Sequence, residues 1–234
     1  AGRLSYVLGL KGPCITMNTA CSSALVALDS ACQSLRFSRT AGALVAAVNL
    51  QLHPALWVSS CALHALSQDG QCKTFDASAD GFGRSEACGA VVVKRLSDVE
   101  EAGSRVLGIV RGSAVNQDGR SASFMAPNGP SQEAVIRAAL WDGGVEKSDV
   151  VYVETHGTGT AIGDPQEVGA LCGVFGSRER SAPLVLGALK SNLGHTEGAA
   201  GVMGVIKTVM TLQWGMAPPN LHVRELNPKL QMEG

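Results

Sequence analysis

Five apolar runs decide what this chain can fold into. Ala41–Leu50, Ala87–Leu96, Val106–Val115, Val150–Thr155 and Leu184–Leu189 each read as strands that are apolar on both faces. Such strands need cover above and below, which is the mark of a sheet layered between helices. Helical spacing recurs between the runs. Leu25, Leu28, Cys32 and Leu35 make one buried stripe, and helices are predicted over 55–66, 132–142, 164–175 and 199–212, with a helical turn at 97–102. Ser131 is the expected cap of the helix over 132–142, and Asp164-Pro165, an acid followed by proline, the start of the next. Strands alternating with helices make the chain α/β with a parallel or mixed sheet. Phe75–Glu86 and Asn116–Pro130 are polar, turn-rich loops. A boundary between two halves is expected at Ala102-Gly103, giving units 1–102 and 103–234.

Composition narrows the function classes. With 45% hydrophobic residues in 234, a large core is available. A net charge of −1 supplies no basic field for nucleic acid or an anionic membrane surface. No apolar run reaches membrane-spanning length, and no secretory leader is visible. Seven cysteines, an odd number without a Cys-x-x-Cys pair, read as free thiols in a reducing compartment. A cytoplasmic setting is expected, with an organelle as the alternative. Cys61-x-x-His64 lacks the second pair of a metal site and reads as helix filling, so no metal site is expected.

Three stretches carry chemistry. Gly12-Pro-Cys-Ile-Thr-Met-Asn-Thr-Ala-Cys-Ser-Ser-Ala-Leu25 reads as a buried strand over Cys14–Asn18, a sharp turn, and a helix from about Ser22. Cys21 then falls in the first helical turn, where unpaired amides and the helix dipole favour thiolate. Thr19, Ala20, Ser22 and Ser23 are small enough to admit a substrate carbonyl, although a buried core cysteine is the other reading of this stretch. Glu154-Thr-His-Gly-Thr-Gly-Thr160 sets His156 at a strand end. Its glycines suggest a dinucleotide-binding turn as a rival, but their spacing is one residue too long and the helix starts after them. Lys190-Ser-Asn-Leu-Gly-His195 sets a lysine and a second histidine at another strand end, and Gly198-Ala-Ala-Gly201 lets the following helix pack hard against the sheet. Strand carboxyl ends are where sites assemble in open sheets.

Thr19-Ala-Cys-Ser-Ser, Glu154-Thr-His-Gly-Thr-Gly-Thr and Lys190-Ser-Asn-Leu-Gly-His-Thr-Glu-Gly-Ala-Ala-Gly201 resemble the three signature stretches of the β-ketoacyl synthases, and most closely those of type I polyketide synthase ketosynthase domains. Asn116-Gln-Asp-Gly-Arg, Ala126-Pro-Asn-Gly-Pro-Ser-Gln and Pro218-Pro-Asn-Leu-His extend the resemblance along the chain. It implies a thiolase-like fold of two βαβαβ-type halves layered α-β-α-β-α, incomplete here at both ends, and a homodimer. It implies that Cys21 takes an acyl chain from the phosphopantetheine arm of an acyl carrier protein, with no cofactor bound directly. A malonyl-type extender would then lose carbon dioxide, and its enolate would attack the Cys21 thioester. In this resemblance His156 and His195 stabilise the enolate, Lys190 orients the second histidine, and the Cys21 amide is one oxyanion donor. Thr158 and Thr160 would hold the pantetheine amide; plain turn formation is their other reading. Acyltransferase and other synthase domains are the implied partners.

Alternatives from other classes are a condensing enzyme of fatty-acid synthesis, a non-condensing homologue that only binds acyl carriers, and a cysteine hydrolase with a Cys–His pair. Asn18 stands where the family has aspartate, and Phe82–Cys88 and Ser121–Met125 depart from the commoner patterns. The family's Gly-Gly-Thr-Asn-Ala-His stretch, which helps form a second oxyanion donor, is not in the sequence. Residues 1–234 alone are expected to be poorly soluble or molten, because their strands lack neighbours along both edges, and inert, because one oxyanion donor is missing.

Overall fold

The computed structural model describes residues 1–121, 123, 126–176, 182–230 and 232. In chain order the elements are α1 (Gly2–Leu8), α2 (Ser23–Arg36), β1 (Gly42–Asn49), α3 (Ala55–Ala62), β2 (Ala87–Lys94), α4 (Leu96–Glu101), α5 (Gly129–Gly143), β3 (Tyr152–Glu154), α6 (Gly163–Phe175), β4 (Val185–Gly187), α7 (Lys190–Leu193) and α8 (Ala200–Trp214). β1 and β2 pair antiparallel, Gly42 opposite Lys94 and Asn49 opposite Ala87. β3 and β4 pair parallel, Tyr152 opposite Val185 and Glu154 opposite Gly187, with α6 as the crossover. The architecture is mixed α/β, as the alternation of elements requires.

Four expectations need correction. Cys14–Asn18 forms no strand and is largely exposed, Ile15 by 59%. Residues 106–115 form none either. A strand exists through its partner's ladder, and here side chains take up carbonyls instead: Gln213 Nε2 donates to Leu107 O and Arg36 Nη2 to Arg111 O. β1 and β2 are paired but not buried on both faces; Val45 is buried, while Val48 and Val92 are 57% and 68% exposed. The caps also differ. Asn128, not Ser131, caps α5, accepting from the Ser131 amide at 3.3 Å with Pro130 in the first turn. α6 begins at Gly163, and the buried Asp164 carboxylate accepts instead from the Phe75 and Gly159 amides at 2.9 and 3.0 Å.

The core lies in two places. In one, α2 and α8 meet over the β1–β2 sheet, where Ala24, Ala199 and Val202 pack with Ala47, Ala87 and Val91. Beside it Leu28 and Cys32 of α2 cover Val45. In the other, Leu171, Val174 and Phe175 of α6 pack on Ile136 and Leu140 of α5 and on Val153 and Leu186 of the β3–β4 pair. The small residues of Gly198–Gly201 serve both approaches: Gly198 and Ala199 lie against the β1–β2 sheet, as expected, and Gly201 lies against α2. A Cβ at Gly201 would sit 2.7 Å from Leu25 Cγ and 3.1 Å from the Leu25 amide nitrogen. Gly201→Val should cost about 1–3 kcal/mol through overpacking. Gly169→Ala on α6, where a Cβ meets nothing within 4 Å, should be neutral or stabilising by up to roughly 1 kcal/mol. Thermal denaturation of the two variants side by side checks the contrast.

Candidate active site

Cys21 sits at a strained corner. Ala20 before it has φ 54, a left-handed conformation uncommon for a residue with a side chain. Asn18 holds it there, its Oδ1 accepting from the Ala20 amide at 3.1 Å. This job needs a carbonyl-type oxygen, which asparagine supplies as well as aspartate. Ser22 is the residue preceding α2, and Ser22 Oγ and Ser23 Oγ donate back to the Thr19 and Ala20 carbonyls at 2.8 and 2.6 Å. The corner turns the half-buried Cys21 sulfur toward two imidazoles: Sγ and one ring nitrogen each of His156 and His195 lie within 4.8 Å of one another.

The expected thiolate is not favoured. Burial pushes the Cys21 pKa up; its own backbone N–H and the Lys190 charge oppose this, while Glu197 adds to it. The sulfur lies two residues ahead of the first helical residue, and desolvation outweighs the pull expected from the helix end.

His156 follows β3, as expected, but Lys190 and His195 are not at a strand end: β4 stops at Gly187, Lys190 opens α7, and His195 comes after its closing Gly194. The two histidine rings stand edge to face, 5.5 Å between centroids, and Phe82 packs on His195 at 5.0 Å. Lys190 is buried and reaches the first histidine, not the second as expected: Nζ donates to His156 O at 2.6 Å and lies 3.3 Å from His156 Nδ1. His195 Nδ1 accepts from the Glu197 amide at 3.1 Å. As an ammonium, Lys190 can only donate, so both Nδ1 atoms are acceptors and both rings carry their hydrogen on Nε2. The site thus presents two N–H donors. A cation at the same three residues would meet no Nε2 lone pair, so the trio does not fit a metal in this hydrogen-bonded state.

Burial first, then Lys190, His156 and Arg84, push the His195 pKa down to about 3. His156 is exposed at its own surface, yet the protein crowded round its ring and then the Lys190 charge push it to about 3 as well. Discounting the first cause for that exposure leaves the second acting in the same direction. Burial also lowers the Lys190 pKa, against the raising effect of Glu167 and other neighbours.

Several polar groups that position the site carry no sequence motif of their own. Glu167 accepts from the His156 and Gly157 amides at 2.5 and 2.8 Å, and its pKa is raised by burial against those two bonds. Thr74 Oγ1 donates to Gly157 O at 2.6 Å. Glu154 accepts from the Leu189 amide and Tyr152 hydroxyl, both at 2.5 Å, and lies 2.8 Å from Lys207 Nζ, off the axis of a hydrogen bond. The spacing of Asp164 and Glu167, three apart on one helix face, was the available signal for Glu167. Thr158 and Thr160 lie beside each other, Oγ1 to Oγ1 3.1 Å, and Thr160 Oγ1 also accepts from the Gly163 amide at 3.1 Å, so part of their role is turn formation. Of the departing stretches, Phe82–Cys88 lies against His195, while residues 122, 124 and 125 fall outside the described residues.

The chain matches the β-ketoacyl synthase N-terminal domain over residues 1–99 and the β-ketoacyl synthase C-terminal domain over 107–224. The chain belongs to the β-ketoacyl synthase family. Among curated proteins, it is 53% identical over 231 residues to a phenolphthiocerol/phthiocerol polyketide synthase of Mycobacterium tuberculosis, covering 98% of this chain and 12% of that one. It is 52% identical over 224 residues to pikromycin polyketide synthase component PikAII of Streptomyces venezuelae, covering 95% of this chain and 6% of that one. Among solved structures, the ketosynthase from module 6 of the bacillaene synthase of Bacillus subtilis 168 superposes with a TM-score of 0.96 at 41% identity, covering all of this chain and 42% of that one. The β-ketoacyl synthase chain therefore spans a small share of these curated relatives and less than half of that solved ketosynthase. Its fold is the thiolase-like fold of the ketosynthases.

Two measurements follow from the electrostatics of this β-ketoacyl synthase. Both histidines have pKa values held below the usual 6.5, so they stay neutral in the fold but take up protons when unfolded. Their contribution to stability is full above about pH 6.5 and is lost as pH falls toward 3. Thermal midpoints should therefore fall between pH 6.5 and 4 more steeply in the parent than in a His156→Gln/His195→Gln variant. With its pKa raised above 9, Cys21 should be alkylated slowly at pH 7. Its rate, followed by peptide mass spectrometry with iodoacetamide, should still be climbing at pH 9.

Proposed function

We propose that the chain carries the reacting groups of a ketosynthase acting in polyketide assembly, with the nucleophile on residues 1–102 and both histidines and Lys190 on 103–234. Membership in the β-ketoacyl synthase family and polyketide synthase relatives near 50% identity support the substrate class. The observation that carries the chemistry is the cysteine facing two imidazoles whose Nδ1 atoms both accept.

In the first half-reaction the Cys21 sulfur attacks the thioester carbonyl of an acyl chain on the carrier's phosphopantetheine. The carbon–sulfur bond to pantetheine breaks, and the thiol proton of Cys21 ends on the departing pantetheine sulfur. The raised pKa of Cys21 keeps its thiolate scarce at rest, so this step requires the proton to leave as the sulfur attacks. In the second, a malonyl-type carboxylate on the carrier leaves as carbon dioxide, and its electron pair becomes an enolate. The Nε2–H groups of His156 and His195 donate to the enolate oxygen, which they do best as neutral rings in a site with little competing water. The enolate carbon attacks the Cys21 thioester carbonyl, the bond from that carbon to Sγ breaks, the β-ketoacyl chain leaves on the carrier, and the freed sulfur takes a proton from solvent. Lys190 holds His156 by its carbonyl and Nδ1, and Thr158 and Thr160 offer hydroxyls to the pantetheine amide.

This reading takes the acyl carrier protein and the acyltransferase and other synthase domains as partners, a homodimer as the assembly, and the cytoplasm as the setting. It requires no directly bound cofactor or metal. Among the described residues no helix is long and apolar enough to cross a membrane.

The test uses the full-length polypeptide and a labelled malonyl-carrier. His156→Ala and His195→Ala should retain acylation of Cys21 but lose carbon dioxide release about a hundredfold or more, the usual loss for one such donor. Lys190→Ala should resemble His156→Ala, the ring it touches. Normal release in both histidine variants would sink the enolate reading, and an acyl adduct surviving Cys21→Ala would move the nucleophile elsewhere.

A further inference from the structure

Next to His195 lies an ion pair, buried on its arginine side and partly exposed at its carboxylate, that the two half-reactions do not use. The Arg84 side chain is 2% exposed, and its Nη1 lies 2.6 Å from Glu197 Oε1. Nη1 also donates to Ser60 Oγ at 3.2 Å, and the guanidinium lies over the Trp57 ring, 5.4 Å from its centroid. Its Nε and Nη2 have no hydrogen-bond partner among the described residues. A buried guanidinium with two unsatisfied nitrogens is a poor device for stability alone.

Its partner explains it. Glu197 has φ 42, a left-handed backbone that is strained for a residue with a Cβ. Thr196, at φ −89 and ψ 19, turns the peptide before it so that the Glu197 amide points at His195 Nδ1, 3.1 Å away; with the chain fixed on both sides, releasing the left-handed φ would turn that peptide. The residues flanking Arg84 hold the same histidine by its backbone: His195 N donates to Gly83 O at 2.7 Å and Ser85 N to His195 O at 3.0 Å. The backbone of 83–85 therefore fixes where His195 sits, and the Arg84 side chain holds the residue that addresses its ring.

We propose that Arg84 and Glu197 are positioning residues for His195: their ion pair holds Glu197 in its left-handed conformation, and the amide so placed keeps the His195 hydrogen on Nε2. Without that donor the ring is free to move its hydrogen to Nδ1, and the site then presents a lone pair where the enolate needs N–H. The Trp57 face and Ser60 hydroxyl hold the guanidinium plane, so lysine, a point charge, does not substitute for arginine here. The proposal rests on His195 being an enolate donor.

The experiment follows Cys21 acylation and carbon dioxide release separately in the full-length polypeptide. His195→Ala checks the underlying reading: if it keeps carbon dioxide release, that reading fails and the proposal with it, whatever Arg84 does. With that arm passed, Arg84→Met should lose carbon dioxide release about tenfold or more, the usual cost of removing a supporting partner, while acylation stays close to the parent rate. Glu197→Gln, which removes the ionic contact at constant size, should show the same split. Arg84→Met combined with Glu197→Gly should release carbon dioxide faster than Arg84→Met alone, because glycine adopts this φ with no ion pair to hold it and still offers its amide. Parallel loss of both half-reactions in Arg84→Met and Glu197→Gln, or a double variant no better than Arg84→Met, would overturn the proposal.

Discussion

The site depends on how closely two helices approach. α2 follows Cys21 and α8 follows His195, and they meet through Ala24, Leu25, Ala199 and Gly201 with almost no side-chain thickness between them. Larger residues at this crossing would move the two helix starts apart, and with them the sulfur and the imidazole. The β1–β2 sheet supports both helices from one side, so residues far apart in sequence are fixed against a common surface. Close packing of this kind transmits small changes in volume directly into the geometry of a site.

Electrostatics then decides what the assembled groups can do. One buried lysine sits among two neutral histidines, a cysteine held as thiol, and the carboxylates of Glu167 and Glu154. Burial first, and then repulsion by its ammonium, keep His156 unprotonated, and donation from the same ammonium fixes the ring tautomer. Glu167 takes no part in that contact but anchors the backbone of His156 and Gly157 from α6. The glycine-rich turn between His156 and Gly163 is thus held by carboxylates within the protein, where a nucleotide-binding turn would offer its amides to phosphate.

Much of this was legible in the sequence. The helix over Ser23–Arg36, the strands at Gly42–Asn49 and Ala87–Lys94 and the convergence of Cys21, His156, Lys190 and His195 all follow from periodicity and motif. The strand expected over 106–115 did not form because apolar character alone gives no ladder. The direction of the Cys21 shift was missed because helix position is visible in a sequence and burial is not. The partner of Lys190 was missed for a related reason: adjacency in the motif to His195 says nothing about the side chain's reach across to β3. Arg84 and Glu197 lie over a hundred residues apart, and each looks like an ordinary surface charge until the fold brings them together.

The two occupied Nδ1 atoms have a consequence for water at the site. Hydrolysis of a thioester on Cys21 would need a base to take a proton from water, and neither ring has a free lone pair pointing at the sulfur. The hydrogen bonds that turn both rings into donors therefore also deny water a base beside the sulfur. On the proposed reading, an acyl chain held on Cys21 would then survive the interval before an extender reaches the site.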